Sequence, residues 1–492
     1  MSSTLPSRFY RGALSLARRR RRKPISARVI DGLVECPCCG EYQAVRNVEP
    51  GMMARCVRCG FGLERRNMSS PIATPLALCI SSAALYFATL MSSLMTLNLY
   101  GRQRAVELVT GPMELLHEGW GEVGVLVGLV TVLAPGVVIT MMALILYAGG
   151  KKEMPDWAPH LLAWYEKLRP WSMMEVYILG IFVAYTKLVD LAYVEVGPAA
   201  YLIAALMVTM AATDQTLDKE LIWRRRRVEN TLQFSDGTRV AVERVSISDI
   251  PMPPVQNMLS CYSCGLVGAF EQPVPRTHIV GSCPRCGHKM RRRKPDSLNR
   301  TAALLLASLI CYFPANIYPV MTVIKLGQGG GHTILGGVVE LWQDGMIPLS
   351  ILVLFASITV PVAKILGLAF MLFETYRGSS RGLMFRSKLF RVIDAIGRWS
   401  MIDVFMISIL VAVVRFSSLA NVTADGGVVC FAAVVVLTIF AAEAFDPRLM
   451  WDAAGKNGPA PAADPPVASR KLTRTVQNDG TEDRQGMEPA SA

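Results

Sequence analysis

The sequence predicts an all-α polytopic membrane protein built as a tandem repeat. Each copy reads as a cytoplasmic four-cysteine zinc ribbon followed by four transmembrane helices. Three observations carry this. Of 492 residues, 52% are hydrophobic and 18% charged, against roughly 25% charged in an average soluble chain, and mean hydropathy is +0.35. Eight apolar stretches are long enough to approach or cross a ~30 Å hydrocarbon core. Eight of the twelve cysteines fall in four Cys-x-x-Cys pairs.

Residues 1–30 form a basic tail carrying RRRRRK at 18–23. No apolar h-region follows, so no cleavable signal peptide is expected. Such a tail suits the anionic inner leaflet. The first ribbon, 31–68, holds Cys36-Pro-Cys-Cys39-Gly and Cys56-Val-Arg-Cys59-Gly with 16 residues between the pairs. The second, 258–294, holds Cys261-Tyr-Ser-Cys264-Gly and Cys283-Pro-Arg-Cys286-Gly with 18 between. Each Cys-x-x-Cys-Gly aims two thiolates at one point, and glycine permits the tight backbone. Four thiolates complete a tetrahedral Zn²⁺ and leave no open position, so two structural zinc ions are expected. Metal would supply the folding energy that such small modules lack. Spacing selects Cys36 and Cys39 as ligands, leaving Cys38 as a spare thiol or the partner of an alternate register. Disulfides or a redox couple are the competing readings, and a reducing cytoplasm disfavours disulfides.

Spans are predicted near 75–97, 123–147, 173–193 and 198–213 in a first membrane unit, 69–223. A linker, 224–257, leads to the second ribbon. A second unit, 295–452, has spans near 301–323, 346–373, 400–420 and 427–445. Residues 453–492 are Pro/Ala-rich and polar and read as a disordered tail. Lys and Arg crowd the N-terminal tail and the connections at 148–170, 219–300 and 374–398, while alternate connections carry few. By the positive-inside rule, both termini and both ribbons face the cytoplasm. The +13 formal charge clusters beside apolar spans, which argues against nucleic acid as its target.

Polar anchors recur at nearly constant offset. LYFATLMSSLMTL (85–97) matches CYFPANIYPVMTV (311–323) at 226, WSMMEVY (171–177) matches WSMIDVF (399–405) at 228, and Pro135 falls on Pro361. Asp218 likewise falls on Asp446. Four spans per copy make the repeat parallel. The two prolines predict a hinge in each second span. Ionisable residues inside spans are costly and usually face a bundle interior or cavity. Glu175, Lys187 and Asp190 in the third span, Lys364 in the sixth, and Asp403 and Arg415 in the seventh form a candidate polar network. Lys187 and Asp190, three apart, share a helix face. The bland alternative is snorkelling near the boundaries. No P-loop, nucleophile elbow or paired-histidine site appears, so an enzyme is not expected.

A four-cysteine ribbon before four spans, repeated, with WSMxxV opening each third span, resembles the paraquat-inducible protein A family over about residues 30–452. The resemblance implies a multi-pass inner-membrane protein of Gram-negative bacteria. It implies partnership with an MCE-domain protein forming a periplasmic tunnel, and phospholipid or other lipid cargo moved between inner and outer membranes. It also implies tetraspanin-like bundles and a polar pair at Lys187 and Asp190 in the membrane core. A membrane scaffold and a zinc or redox sensor are the rival functions.

Overall fold

The computed structural model describes residues 27–457 except 46–47, 68–69, 71, 100–101, 152–153, 190–192, 225, 275–278, 326–327, 344, 414 and 417–419. Most of the predicted basic tail and of the predicted disordered tail therefore lies outside the described residues.

Apolar runs fold as helices because no water is available to the backbone in hydrocarbon, so each N–H must be satisfied within its own segment. Seven helical stretches among the described residues are long and apolar enough to cross a membrane: Ala73–Leu90, Gly121–Gly149, Ala158–Val189, Ser297–Ile317, Ile347–Tyr376, Leu383–Val413 and Gly426–Ala444. A further 19-residue helix, Pro198–Thr216, packs along Ala73–Leu90, as Gly426–Ala444 packs along Ser297–Ile317 in the second half. Two of the stretches bend through a 3₁₀ turn. Amphipathic helices Ala158–Leu168 and Leu383–Ile396 each meet a 3₁₀ turn before the apolar helices Met174–Val189 and Ile402–Val413.

Those last two helices pack against each other and join the halves. Every residue of Ile402–Val413 is buried. Gly180 makes the approach feasible: a Cβ there would lie 2.9 Å from the Phe405 Cβ. Tyr177 meets the Phe405 ring edge-on at 5.5 Å.

The all-α expectation is corrected by five sheets among the described residues, two of them the hairpins of ribbon 1, Leu33–Glu35 with Tyr42–Ala44 and Met53–Arg55 with Gly62–Arg65. Helices stop at Leu90 and Ile317, short of the predicted 97 and 323, and the apolar residues beyond them become strands. Ser93–Leu99 pairs with Arg102–Glu107 and Tyr193–Val196. Met321–Lys325 pairs with Gln328–His332 and Ala420–Ala424, and the latter with Arg415–Phe416. Each unit thus closes the end of its bundle remote from the ribbons with a small sheet.

At the other end a seven-stranded sheet knits both ribbons and the linker together. Its order is Met258–Ser260, Val267–Phe270, Ala27–Asp31, Arg239–Ser246, Thr231–Phe234, Gly281–Ser282 and Lys289–Met290. Ala27–Asp31 runs parallel to Arg239–Ser246 and antiparallel to Val267–Phe270. The physical reason was present in the linker: FSDGTRVAVERV places an Asp-Gly turn between alternating strands, a hairpin signature. Gly237 takes φ +85° there, a conformation open to glycine.

Candidate metal centres and membrane polar core

Each cysteine pair sits on a hairpin turn. Gly40 donates to the Cys36 carbonyl at 2.9 Å and Cys36 to the Glu41 carbonyl at 2.8 Å, and Cys261 and Gly265 repeat the pattern. The glycines after the second cysteines, Gly40, Gly60, Gly265 and Gly287, all take φ between +69° and +74°. The geometry collects Cys36, Cys39, Cys56 and Cys59 in one cluster and Cys261, Cys264, Cys283 and Cys286 in another, with each set of Sγ atoms within 4.8 Å of one another. The sulfurs of Cys36 and Cys59, and of Cys39 and Cys56, are 3.5 Å apart. Tetrahedral zinc with ~2.3 Å bonds would hold sulfurs about 3.8 Å apart, so the donors fit. Cys38 is buried but stands outside the set.

Ribbon 1 sits crosswise, and ribbon 2 contacts both units. Ribbon 1 docks on the second unit: Asn457 donates to the Cys39 carbonyl at 3.0 Å and Arg391 to the Cys59 carbonyl at 3.2 Å. Its cysteines share an apolar cluster with Leu368, Phe445 and Trp451. Ribbon 2 meets the first unit where Arg285 lies 4.0 Å from Glu220, and it is bound to the linker, with Glu229 donating its amide to the Pro284 carbonyl at 2.8 Å and Arg226 donating to the Arg285 carbonyl at 3.4 Å.

A buried ionic cluster locks this junction, and sequence reasoning missed it. Glu35 accepts from Arg293 at 3.0 Å and Arg448 at 3.2 Å. Arg293 forks onto Asp452 at 2.7 and 3.0 Å, and Arg448 forks onto Asp446 at 3.0 Å through both nitrogens. The Tyr262 hydroxyl donates to Asp446, and the Arg448 guanidinium lies 4.5 Å over the Tyr262 ring. Burial pushes the Glu35 carboxyl up, but Arg448, Arg293 and the Ser260 hydroxyl outweigh it and hold it below the ordinary carboxylate value. The signal available was Asp446, visible only as a repeat anchor. Arg292 and Arg293 looked like membrane-flanking charges yet are buried.

Within the membrane the predicted network is only partly assembled. Lys364, 1% exposed, donates to the Gly397 carbonyl at 3.1 Å. Asp403 is buried, and neither carboxylate oxygen has a hydrogen-bond partner. Ser357 has a buried hydroxyl facing Asp403, and Ser400, one turn before Asp403, has a buried hydroxyl with no hydrogen-bond partner. Lys187 is close enough to interact electrostatically with Asp403, and its Nζ is 3.6 Å from where a Gly337 Cβ would stand. Glu175 is exposed and interacts with Arg169, not with this group. Asp190 lies outside the described residues. Arg415, predicted within a span, has its backbone in the strand Arg415–Phe416, at the bundle end remote from the ribbons. Sequence reasoning missed Ser357 and Ser400, and a second polar group in the first unit, where Tyr165 and Arg169 both bind Asp214.

Pro135 and Pro361 each follow a π-helical turn, Leu129–Leu133 and Phe355–Thr359. Ala134 donates to the Leu129 carbonyl and Val360 to the Phe355 carbonyl, five residues back. The wider turn moves the carbonyl at i−4 away from the proline ring, with which it would otherwise clash.

These features define a polytopic membrane protein with two four-cysteine clusters able to hold a metal ion and a polar seam between its halves. The chain belongs to the paraquat-inducible protein A family, whose model matches residues 72–227 and 298–455. Intermembrane transport protein PqiA of Escherichia coli (strain K12) is 29% identical over 418 residues, covering 85% of this chain and 95% of the relative. Lipophilic envelope-spanning tunnel protein A of the same strain is 28% identical, covering 85% and 91%. A probable intermembrane transport protein of Haemophilus influenzae is 25% identical over 287 residues, covering 58% of this chain and 64% of the relative. No solved structure matches the chain.

Proposed function

We propose that this chain is the inner-membrane component of a lipid transport system that works with a periplasmic MCE-domain tunnel protein. Lipid would pass between a membrane unit and the tunnel, and so between inner and outer membranes. One observation carries the reading: a buried Asp403 carboxylate, faced by Ser357 and Lys187, lies at the seam of the two units, beside a broken helix turn. Coupling sites of membrane transporters are built this way, at repeat interfaces from interrupted helices. A group so costly in hydrocarbon persists where it works. Relatives that carry transport names point the same way.

In this reading Lys187, Asp190, Lys364 and Asp403 gate the lipid path, with proton coupling. The seven apolar stretches and Pro198–Thr216 make eight crossings in two tetraspanin-like bundles. The internal repeat supports the eighth, because Pro198–Thr216 occupies the place that Gly426–Ala444 fills in the other half. The ribbons carry zinc and face the cytoplasm with both termini. Domain limits follow the sequence divisions, with ribbon 1 extended back to Ala27 by its sheet strand.

The test is lipid mass spectrometry of purified protein together with complementation of an envelope-permeability defect, using Lys187→Ala and Asp403→Asn. Transport predicts folded, zinc-loaded variants with altered bound lipid and failed complementation. Normal lipid content and full complementation by both would leave only a scaffold that anchors a partner.

A further inference from the structure

We propose that the two metal sites act as crossed latches, each holding the cytoplasmic helix ends of the other repeat's membrane unit. The proposal rests on the zinc reading of the cysteine clusters. In ribbon 1 the groups that grip the second unit are carbonyls of metal-ligand residues themselves. Cys39 receives Asn457 and Cys59 receives Arg391. Asn457 also donates to Asp452 at 2.7 Å, Asp452 binds Arg293, and Arg293 returns to Glu35, the residue before Cys36. A closed ring of contacts thus ties both halves of one cysteine knuckle to Arg448–Ala453, the short helix after the last span.

Ribbon 2 holds the first unit through the start of the linker, where Arg226 donates to the Met154 carbonyl at 3.1 Å, and it also touches its own unit through Tyr262 and Asp446. The carbonyls of Pro284 and Arg285, the two residues between Cys283 and Cys286, receive Glu229 and Arg226. Arg285 reaches Glu220 at 4.0 Å in Lys219–Arg224, the short helix after the fourth long helix of the first half. It also donates to the Cys264 carbonyl at 3.4 Å, tying that grip to the opposite knuckle. A ribbon has little apolar core of its own, so its turns keep these carbonyls in place only while the metal holds them. Loss of one ion should therefore loosen the unit that belongs to the other repeat.

Hydrogen exchange of the full-length protein in nanodiscs tests this, with zinc counted in every sample. Cys39→Ser should speed exchange by about tenfold or more in 383–396 and 445–457 and leave 154–168 and 219–229 near wild type. Cys264→Ser should instead loosen 154–168 and 219–229 and leave 383–396 near wild type, while 445–452 responds to both variants because Tyr262 also donates to Asp446. Asn457→Ala should keep both ions and still loosen 445–457, which separates the latch from misfolding of a ribbon. Loosening of 154–168 by Cys39→Ser, or of 383–396 by Cys264→Ser, overturns the proposal. So does unchanged exchange in a zinc-depleted variant. A wild-type chain without zinc refutes the metal reading and the latch together, whereas a zinc-loaded chain lacking the crossed pattern refutes the latch alone.

Discussion

Glu35, Arg293, Arg448, Asp446 and Asp452 show how differently residues of one site can be read from a sequence. The eight thiols were legible because their spacing is local and each knuckle is built by five consecutive residues. The charges were not, because Glu35 meets partners 258 and 413 positions away. Removing one member leaves an uncompensated buried charge, so Arg293→Ala should cost about 3–5 kcal/mol in unfolding experiments at constant zinc content. Arg244→Ala, which breaks an exposed pair with Asp31, should cost about 0–1 kcal/mol in the same assay. Metal analysis divides the neighbouring thiols in the same manner. Cys38→Ser should retain two zinc ions per chain, and Cys39→Ser should lose one, because only Cys39 belongs to the four-sulfur cluster.

At the scale of elements, the prolines announced where helices would break but not how. The structure resolves each break as a π turn, and the two turns differ. Thr131 in the first donates to the Val127 carbonyl at 2.8 Å and is satisfied within its own helix. Ser357, 226 positions on, turns its buried hydroxyl toward Asp403 instead. Replacing Pro361 by Ala restores an N–H and removes the ring, so the turn can relax to regular helix and rotate Ser357 away. Pro361→Ala should therefore impair complementation, and Pro135→Ala should impair it less, both at normal expression. Apolar composition alone over-extended the spans, since a continuous hydrophobic run does not distinguish a helix from the buried strand that follows it. The linker strands were legible in the Asp-Gly turn and were not read there.

For the whole molecule, the internal repeat predicted two units but not how they interlock. Similarity between halves gives no information on which ribbon covers which bundle, because both pairings present equivalent surfaces. Packing decides it, through the sheet that draws Ala27–Asp31 against the linker and ribbon 2. The seam between Met174–Val189 and Ile402–Val413 was equally invisible, since its key residue is a glycine. Gly180→Val would drive side-chain atoms into Phe405, and overpacking of this kind costs about 1–3 kcal/mol, read as a lower melting temperature that a smaller residue at 405 partly restores. Everything in the transport reading requires the two units to stand upright as parallel copies with both ribbons on the inner face. Impermeant thiol labelling of intact and opened spheroplasts tests that directly, with single cysteines at Val57 and Lys289 on the ribbons and at Tyr193 and Gly330 on the outer sheets. The account predicts that Val57→Cys and Lys289→Cys react only after opening, and that Tyr193→Cys and Gly330→Cys react in intact cells. Labelling of either ribbon position from outside would contradict it.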